Sequence, residues 1–370
     1  MSKRYQQYIV NPPSACPPHL RESSGGPAKE ISFDIDDVAR CAWGEILQTA
    51  PRSNSLFALL EDLLVPGQSL IWRDNGPGRG TEMRRSFSGL FGRFFARAYL
   101  ELHHGFVWFA AIDGDNFHLS ESWRVSRKTG SQTEMPDWIC ARPGKLAIAE
   151  AKGSHQKGNA TGVGIPGPIK TADGQIRGVC VQKEVKQQRG GTIWRSKKIK
   201  GWAVMSRWGL ANPPRDPFLY ALDPETDGKR LTSGETEELV QAVARTHVRQ
   251  IASGLGILGA DKELTAVSRR ARVADDAEKQ RVFAGSVITP FGLLNLDFDR
   301  ARELAALLPN PNMVRFVGLD EAVLTDYHQN QPLVPRHRQR IGDLSIVGSD
   351  GLVVAPIDRL TDMGPQAGQS

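Results

Sequence analysis

Apolar residues recur at helical spacing through SFSGLFGRFFARAYLELHHGF, where Phe87, Leu90, Phe91, Phe94, Phe95, Ala98 and Leu102 share one face. This pattern predicts a helix over 84–104 that stops at Gly105. Upstream, FDIDDVARCAWGEILQ and SLFALLEDLLV have helical character over 33–65, and the turn residues of RDNGPGRGTE end that unit. Downstream the pattern turns extended: VWFAAI (107–112), SWRVS (122–126), PDWICA (136–141) and KLAIAEA (145–151), the last two joined by Arg142-Pro143-Gly144. A Gly-rich stretch over 153–174 reads as a loop, a lid over a substrate groove. Its Gly162-Val-Gly164-Ile-Pro-Gly167 run fits GxGxxG but lacks the strand–turn–helix context of a dinucleotide site. QIRGVCVQKEVKQQR (175–189) is expected to be a helix, KGWAVMSRW (200–208) a strand, and DPFLYALDPETDG (216–228) a strand ending in a turn.

The order helix, strands, helix, strand is that of an α/β protein. Four segments follow: a flexible N-terminal arm at 1–30, rich in Pro, Ser and Gly; a helical extension at 31–80; a core at 81–230; and a C-terminal mixed α+β domain at 231–370, for recognition or assembly. In the last, Thr232 and Glu235 form a capping-box pattern before Leu239, Val240, Val243, Val248 and Ile251, and SIVGSDGLVVAPI (345–357) reads as a hairpin.

Composition narrows the class. With 370 residues, 40% hydrophobic and 24% charged, the chain has the make-up of a soluble globular protein with room for two domains. No apolar run approaches membrane-spanning length and no signal-peptide core is present, so a cytoplasmic protein without a membrane partner is expected. Cys16, Cys41, Cys140 and Cys180 are far apart, which disfavours a disulfide framework or a structural zinc site. The net charge of +6 permits a polyanionic partner. Lys183 to Lys200 carries seven Lys or Arg against the single Glu184, with Trp194 among them, a pattern suited to a phosphate backbone or to a solvated basic face. PRHRQR (335–340) admits the same two readings, with the solvated loop favoured.

The charges at 137–152 bear on chemistry. Ionised groups are rarely buried unless they are paired or bind a metal, yet Asp137, Glu150 and Lys152 interrupt two strand-like runs. If Arg142-Pro143-Gly144 turns the chain, Asp137 at the start of one strand meets Glu150 near the end of the next. Glu150 and Lys152, two apart, share a face, and the Ala151 carbonyl remains available as a further oxygen ligand. Two carboxylates at adjacent strand ends suit magnesium, with manganese as a substitute. A metal so held acts on a phosphodiester as a Lewis acid and lowers the pKa of bound water, while Lys152 orients the nucleophile. His103, His104 and His155 are not spaced as helical zinc ligands.

Pro136-Asp137, twelve intervening residues, then Glu150-Ala151-Lys152 resembles the signature of the PD-(D/E)XK, or restriction-endonuclease-like, nuclease superfamily. The resemblance covers roughly residues 84–210. It implies a core of helix, three strands, helix and strand, and a magnesium-dependent nuclease, DNA more readily than RNA, of the restriction, repair, mobile-element or phage-defence kind. Relatives often carry an acid early in the first helix. Gly92 and Arg93 stand there instead, leaving Glu101, with Glu82 a weaker choice, as the candidate third carboxylate of the metal site. Relatives also place a Gln or Lys on the second core helix, for which Lys183 and Gln187 are the match. Lys183, Lys186, Gln187, Arg195, Lys197 and Lys198 are the candidate nucleic-acid contacts. The alternative is a nuclease-like fold that binds nucleic acid or a protein partner without cutting. A protein partner or a second copy would use the C-terminal region. The bland alternative is an ordinary hairpin whose charges serve solubility.

Overall fold

The computed structural model describes residues 2–49, 65, 67–72, 76–77, 80–155, 164–187, 190–210, 215–257, 269–273, 281–290, 292–294, 296–308, 310–340 and 346–365. The protein is mixed α/β and divides into two compact units, Met1–Ile35 with Leu63–Ala244, and Asp36–Asp62 with Arg245–Ser370.

The first unit is built on a six-stranded sheet. Its strands and flanking helices, in chain order, are β1 (Gln7–Asn11), α1 (Thr81–Leu102), β2 (Trp108–Ala111), β3 (Trp138–Arg142), β4 (Lys145–Ser154), α2 (Gly167–Arg177), β5 (Lys200–Arg207) and β6 (Phe218–Leu222). Across the sheet the order is β1-β6-β5-β4-β3-β2. The meander β2–β3–β4 is antiparallel, with Gly144 at φ 71° in the turn, a backbone region open to glycine. Strand β5 then runs parallel to β4, which needs a crossover, and α2 lies within it. The inner strands are buried on both faces, so they read as near-continuous apolar runs: Trp138 to Ala141 and Leu146 to Ala149 are all buried.

Helix α1 is buried nearly all round from Phe94 to Glu101, a wider face than the periodicity implied. It meets β4 at two glycines. A Cβ on Gly92 would lie 2.6 Å from the Gly153 Cα, and one on Gly153 only 1.5 Å from the Ser88 carbonyl oxygen. Bare backbone at both positions sets the helix directly on the strand.

Several elements differ from what the sequence pattern predicts. The N-terminal 30 residues are part of the fold: β1 extends the sheet beside β6, and Tyr5, Tyr8, Val10 and Cys16 are buried. The alternation around KRYQQYIV outweighs the Pro, Ser and Gly that follow. The second core helix lies at Gly167–Arg177, most of it inside the stretch expected to be a loop, and Val179–Lys186 is a strand. Pro166 caps this helix and Pro168 sits in its first turn, where a missing N–H costs nothing. After Gly178, buried Val179 and Val181 alternate with polar residues at strand period. That strand joins a second, five-stranded sheet in the order Lys229–Arg230, Thr192–Lys198, Val179–Lys186, Trp123–Arg127, Asn116–His118. Residues 156–163 of the proposed lid, and the SLFALLEDLLV helix at 55–64, lie outside the described residues.

In the second unit an antiparallel eight-stranded sheet encloses Phe283, Val287, Phe298, Phe316, Val353 and Leu360. Helix Ile35–Thr49 belongs chiefly to this unit, and the unit resumes at Arg245, not at 231. The expected hairpin is present, Ile346–Val347 against Leu352–Pro356. The expected capping box is also formed, in the first unit: Thr232 N–H donates to Glu235 Oε2 at 3.0 Å, and Glu235 N–H to Thr232 Oγ1 at 3.2 Å. Among the described residues, no helix is long and apolar enough to cross a membrane.

Candidate active site

Asp137 stands at the entry to β3 and Glu150 near the end of β4. Trp138 pairs with Ala149, so the two acids are cross-strand neighbours. Asp137 N–H donates to Glu150 Oε2 at 2.9 Å, and Ala151 N–H donates to Asp137 Oδ2 at 2.7 Å. Because a strand residue's N–H and C=O point to the same side, the Ala151 carbonyl also faces the Asp137 edge.

Lys152 shares Glu150's face. Its ammonium donates to Glu150 Oε1 and to Gln175 Oε1, both at 2.6 Å. Gln175 is buried on α2, with its amide 3.5 Å from the Met135 carbonyl. The second-helix residue that touches the site is thus Gln175, not Lys183 or Gln187. The signal was available: Ile169, Ala172 and Ile176, all buried, recur at helical spacing around it.

Arg93, which the sequence pattern does not single out as a participant, also reaches the site. The Gly92–Gly153 contact brings its turn of α1 to the sheet, and its guanidinium lies 4.9 Å from the Trp138 ring centroid and pairs with Asp137 Oδ1. Glu101 is two turns further on, about 12 Å of helix rise, in the last turn of α1, where its carbonyl accepts from Gly105 N–H. It is not brought to the acids, and Glu82 lies in the opposite, first turn of the helix. Among the described residues, no group of three or more His, Cys, Asp or Glu is placed to hold a metal.

Electrostatically the pair is under tension. Burial, and then the adjacent Asp137 charge, push the Glu150 carboxyl up to about 8 against the pull of Lys152. A hard divalent cation fits this donor set: two carboxylates and a carbonyl at one edge, all oxygen, whose mutual repulsion the ion would relieve. Arg93 already supplies part of that positive charge.

His155 follows β4, with Nδ1 3.2 Å from Ser88 Oγ. Burial and the charges of Arg84 and Arg85 lower its pKa. The expected nucleic-acid contacts are divided. Lys183, Lys197 and Lys198 pair with Glu238, Glu235 and Glu225 at 2.6, 2.6 and 2.5 Å. Lys186, Gln187 and Arg195 are exposed, and Lys186 and Arg195 have no ion pair among the described residues. In the 335–340 cluster, Arg336 pairs with Asp326 and Arg338 with Asp37.

Comparison with protein-family models, with curated proteins and with solved structures gave no match.

Proposed function

We propose that the protein is a divalent-metal-dependent phosphodiesterase acting on nucleic acid, a nuclease of the PD-(D/E)XK kind with DNA as its first substrate. The observation that carries this reading is the convergence of Asp137, Glu150 and Lys152 at the adjoining ends of two neighbouring strands. The element order α1, β2, β3, β4, α2, β5, with Gln175 of α2 on Lys152, supports it as well.

Asp137, Glu150 and the Ala151 carbonyl would hold magnesium or manganese. When bound, the ion supplies Lewis acidity at the phosphate and lowers the pKa of a coordinated water. Lys152, held between Glu150 and Gln175, presents a proton-bearing amine beside that position and orients the attacking water. Gln175 keeps the amine in place. Arg84, Arg85 and His155, next to the end of β4, are the closer candidates for the phosphate backbone, with Lys186 and Arg195 further along.

Cleavage of duplex and single-stranded DNA and of RNA, with and without magnesium, tests the proposal. Wild type should cut only with the ion, and Asp137→Ala and Lys152→Ala should each lose about 10²-fold or more. Equal activity in all three proteins, or none in any, removes the enzymatic reading.

One observation favours a second reading, a nuclease-like protein that binds nucleic acid without cutting. The Arg93 guanidinium already neutralises Asp137, on the helix where relatives carry an acid. DNA binding that is the same with and without magnesium, in a protein that does not cut, would establish it.

A further inference from the structure

A cavity of about 710 Å³ lies at the other end of the central sheet, where α1 stops, β3 turns into β4 and β5 begins. Lys145 and Glu150 are five residues apart on β4, about 16 Å of strand, so the cavity is separate from the candidate active site. Its volume is that of a small-molecule site.

Its lining includes Arg21, Arg142, Lys145, Lys198 and Lys200 but not one carboxylate. Asp223 and Glu225, outside the lining, pair with Lys200 at 2.6 Å and with Lys198 at 2.5 Å. The other three cations have no ion pair among the described residues. The Arg21 guanidinium is held only by carbonyls, Cys16 O at 3.0 Å and Ser14 O at 2.9 Å, which position it without cancelling its charge. Arg142 Nε is buried without a hydrogen-bond partner, and Lys145 is exposed.

His103 and His104 form part of the same wall, and the Nε2 of each is buried with no partner. Burial pushes both imidazoles down, to about 4 and about 3, and the charges of Arg142 and Lys145 add to the effect at His104. The recess is thus lined by three cations without an acidic partner among the described residues, Arg21 and Lys145 exposed and Arg142 half-buried, and by two neutral imidazoles. Guanidinium with ammonium suits a multi-oxygen dianion.

We propose that this cavity binds a small phosphate-bearing molecule of mononucleotide size through Arg21, Arg142 and Lys145. The site does not depend on the nuclease reading.

Calorimetric titration of the full chain with adenosine monophosphate, inorganic phosphate and adenosine tests it. The two phosphates should bind and adenosine should not. Lys145→Gln alters an exposed residue and should weaken adenosine monophosphate binding at least about fivefold, and Arg142→Gln at least about tenfold. If circular dichroism shows Arg142→Gln unfolded, Lys145→Gln alone decides. In nuclear magnetic resonance titrations the His103 and His104 pKa values should rise when phosphate is present. The proposal is overturned if neither phosphate binds, if adenosine binds as tightly, or if Lys145→Gln leaves affinity unchanged. It is also overturned if a 5′-phosphorylated oligonucleotide binds there while the mononucleotide does not.

Discussion

Glu150 is the residue on which the candidate chemistry turns, and its titration is measurable without any substrate. Its ordinary value is 4.5 and the fold raises it to about 8. Between those values the folded protein holds a proton that the unfolded chain has released, so stability falls as pH rises. In metal-free protein, urea midpoints should therefore decline from about pH 4.5 to about pH 8 and then level off, with Glu150→Gln flattening that part of the profile. Arg93 provides the complementary test. Its charge sits where a cation on Asp137 would feel it, and like charges repel. Arg93→Ala should thus tighten magnesium binding several-fold in calorimetry. An unchanged affinity would mean that the ion, if bound at all, is not near Asp137.

At the level of elements, the site depends on how closely α1 approaches β4. A methyl group at Gly92 would sit 2.6 Å from the Gly153 backbone, with no flexible side chain to yield. Gly92→Ala should destabilise the first unit by about 1–3 kcal/mol, the usual cost of overpacking, read by thermal melting. It should also carry Arg93 away from Asp137. The same scale shows where local pattern misled. Residues 167–177 are short and polar, and Pro166 and Pro168 read as breakers, yet both fall at a helix start. Lys183, in the strand Val179–Lys186, and Gln187, just after it, read as one helix face only if the valines are ignored. The elements of β2, β3, β4, β5 and α1 were legible because each carries a long, consistent apolar pattern.

For the whole molecule, the second unit carries its own buried polar centre. Arg40 Nη1 lies 3.3 Å from Asp350 Oδ1, and His247 Nε2 3.3 Å from Asp350 Oδ2, all three side chains almost fully buried. Removing one member of such a group leaves charge uncompensated, so Asp350→Ala should cost about 3–5 kcal/mol, measured by chemical denaturation. Sequence alone marked Asp350 as a turn residue in a hairpin. The difference is general in this protein. Burial period along a segment is a local property, so the sequence by itself determined the α/β class, the meander and the spacing that sets Asp137 against Glu150. Pairing between distant residues is not local. Lys183 and Lys197 meet acids 55 and 38 residues away, and that distance hid how much of the basic stretch is neutralised. Only the tertiary structure placed Gln175 on Lys152, Arg93 on Asp137 and a recess of unpaired cations at the far end of the same strands. Each of those contacts needs two chain segments to close on one another before its energy exists.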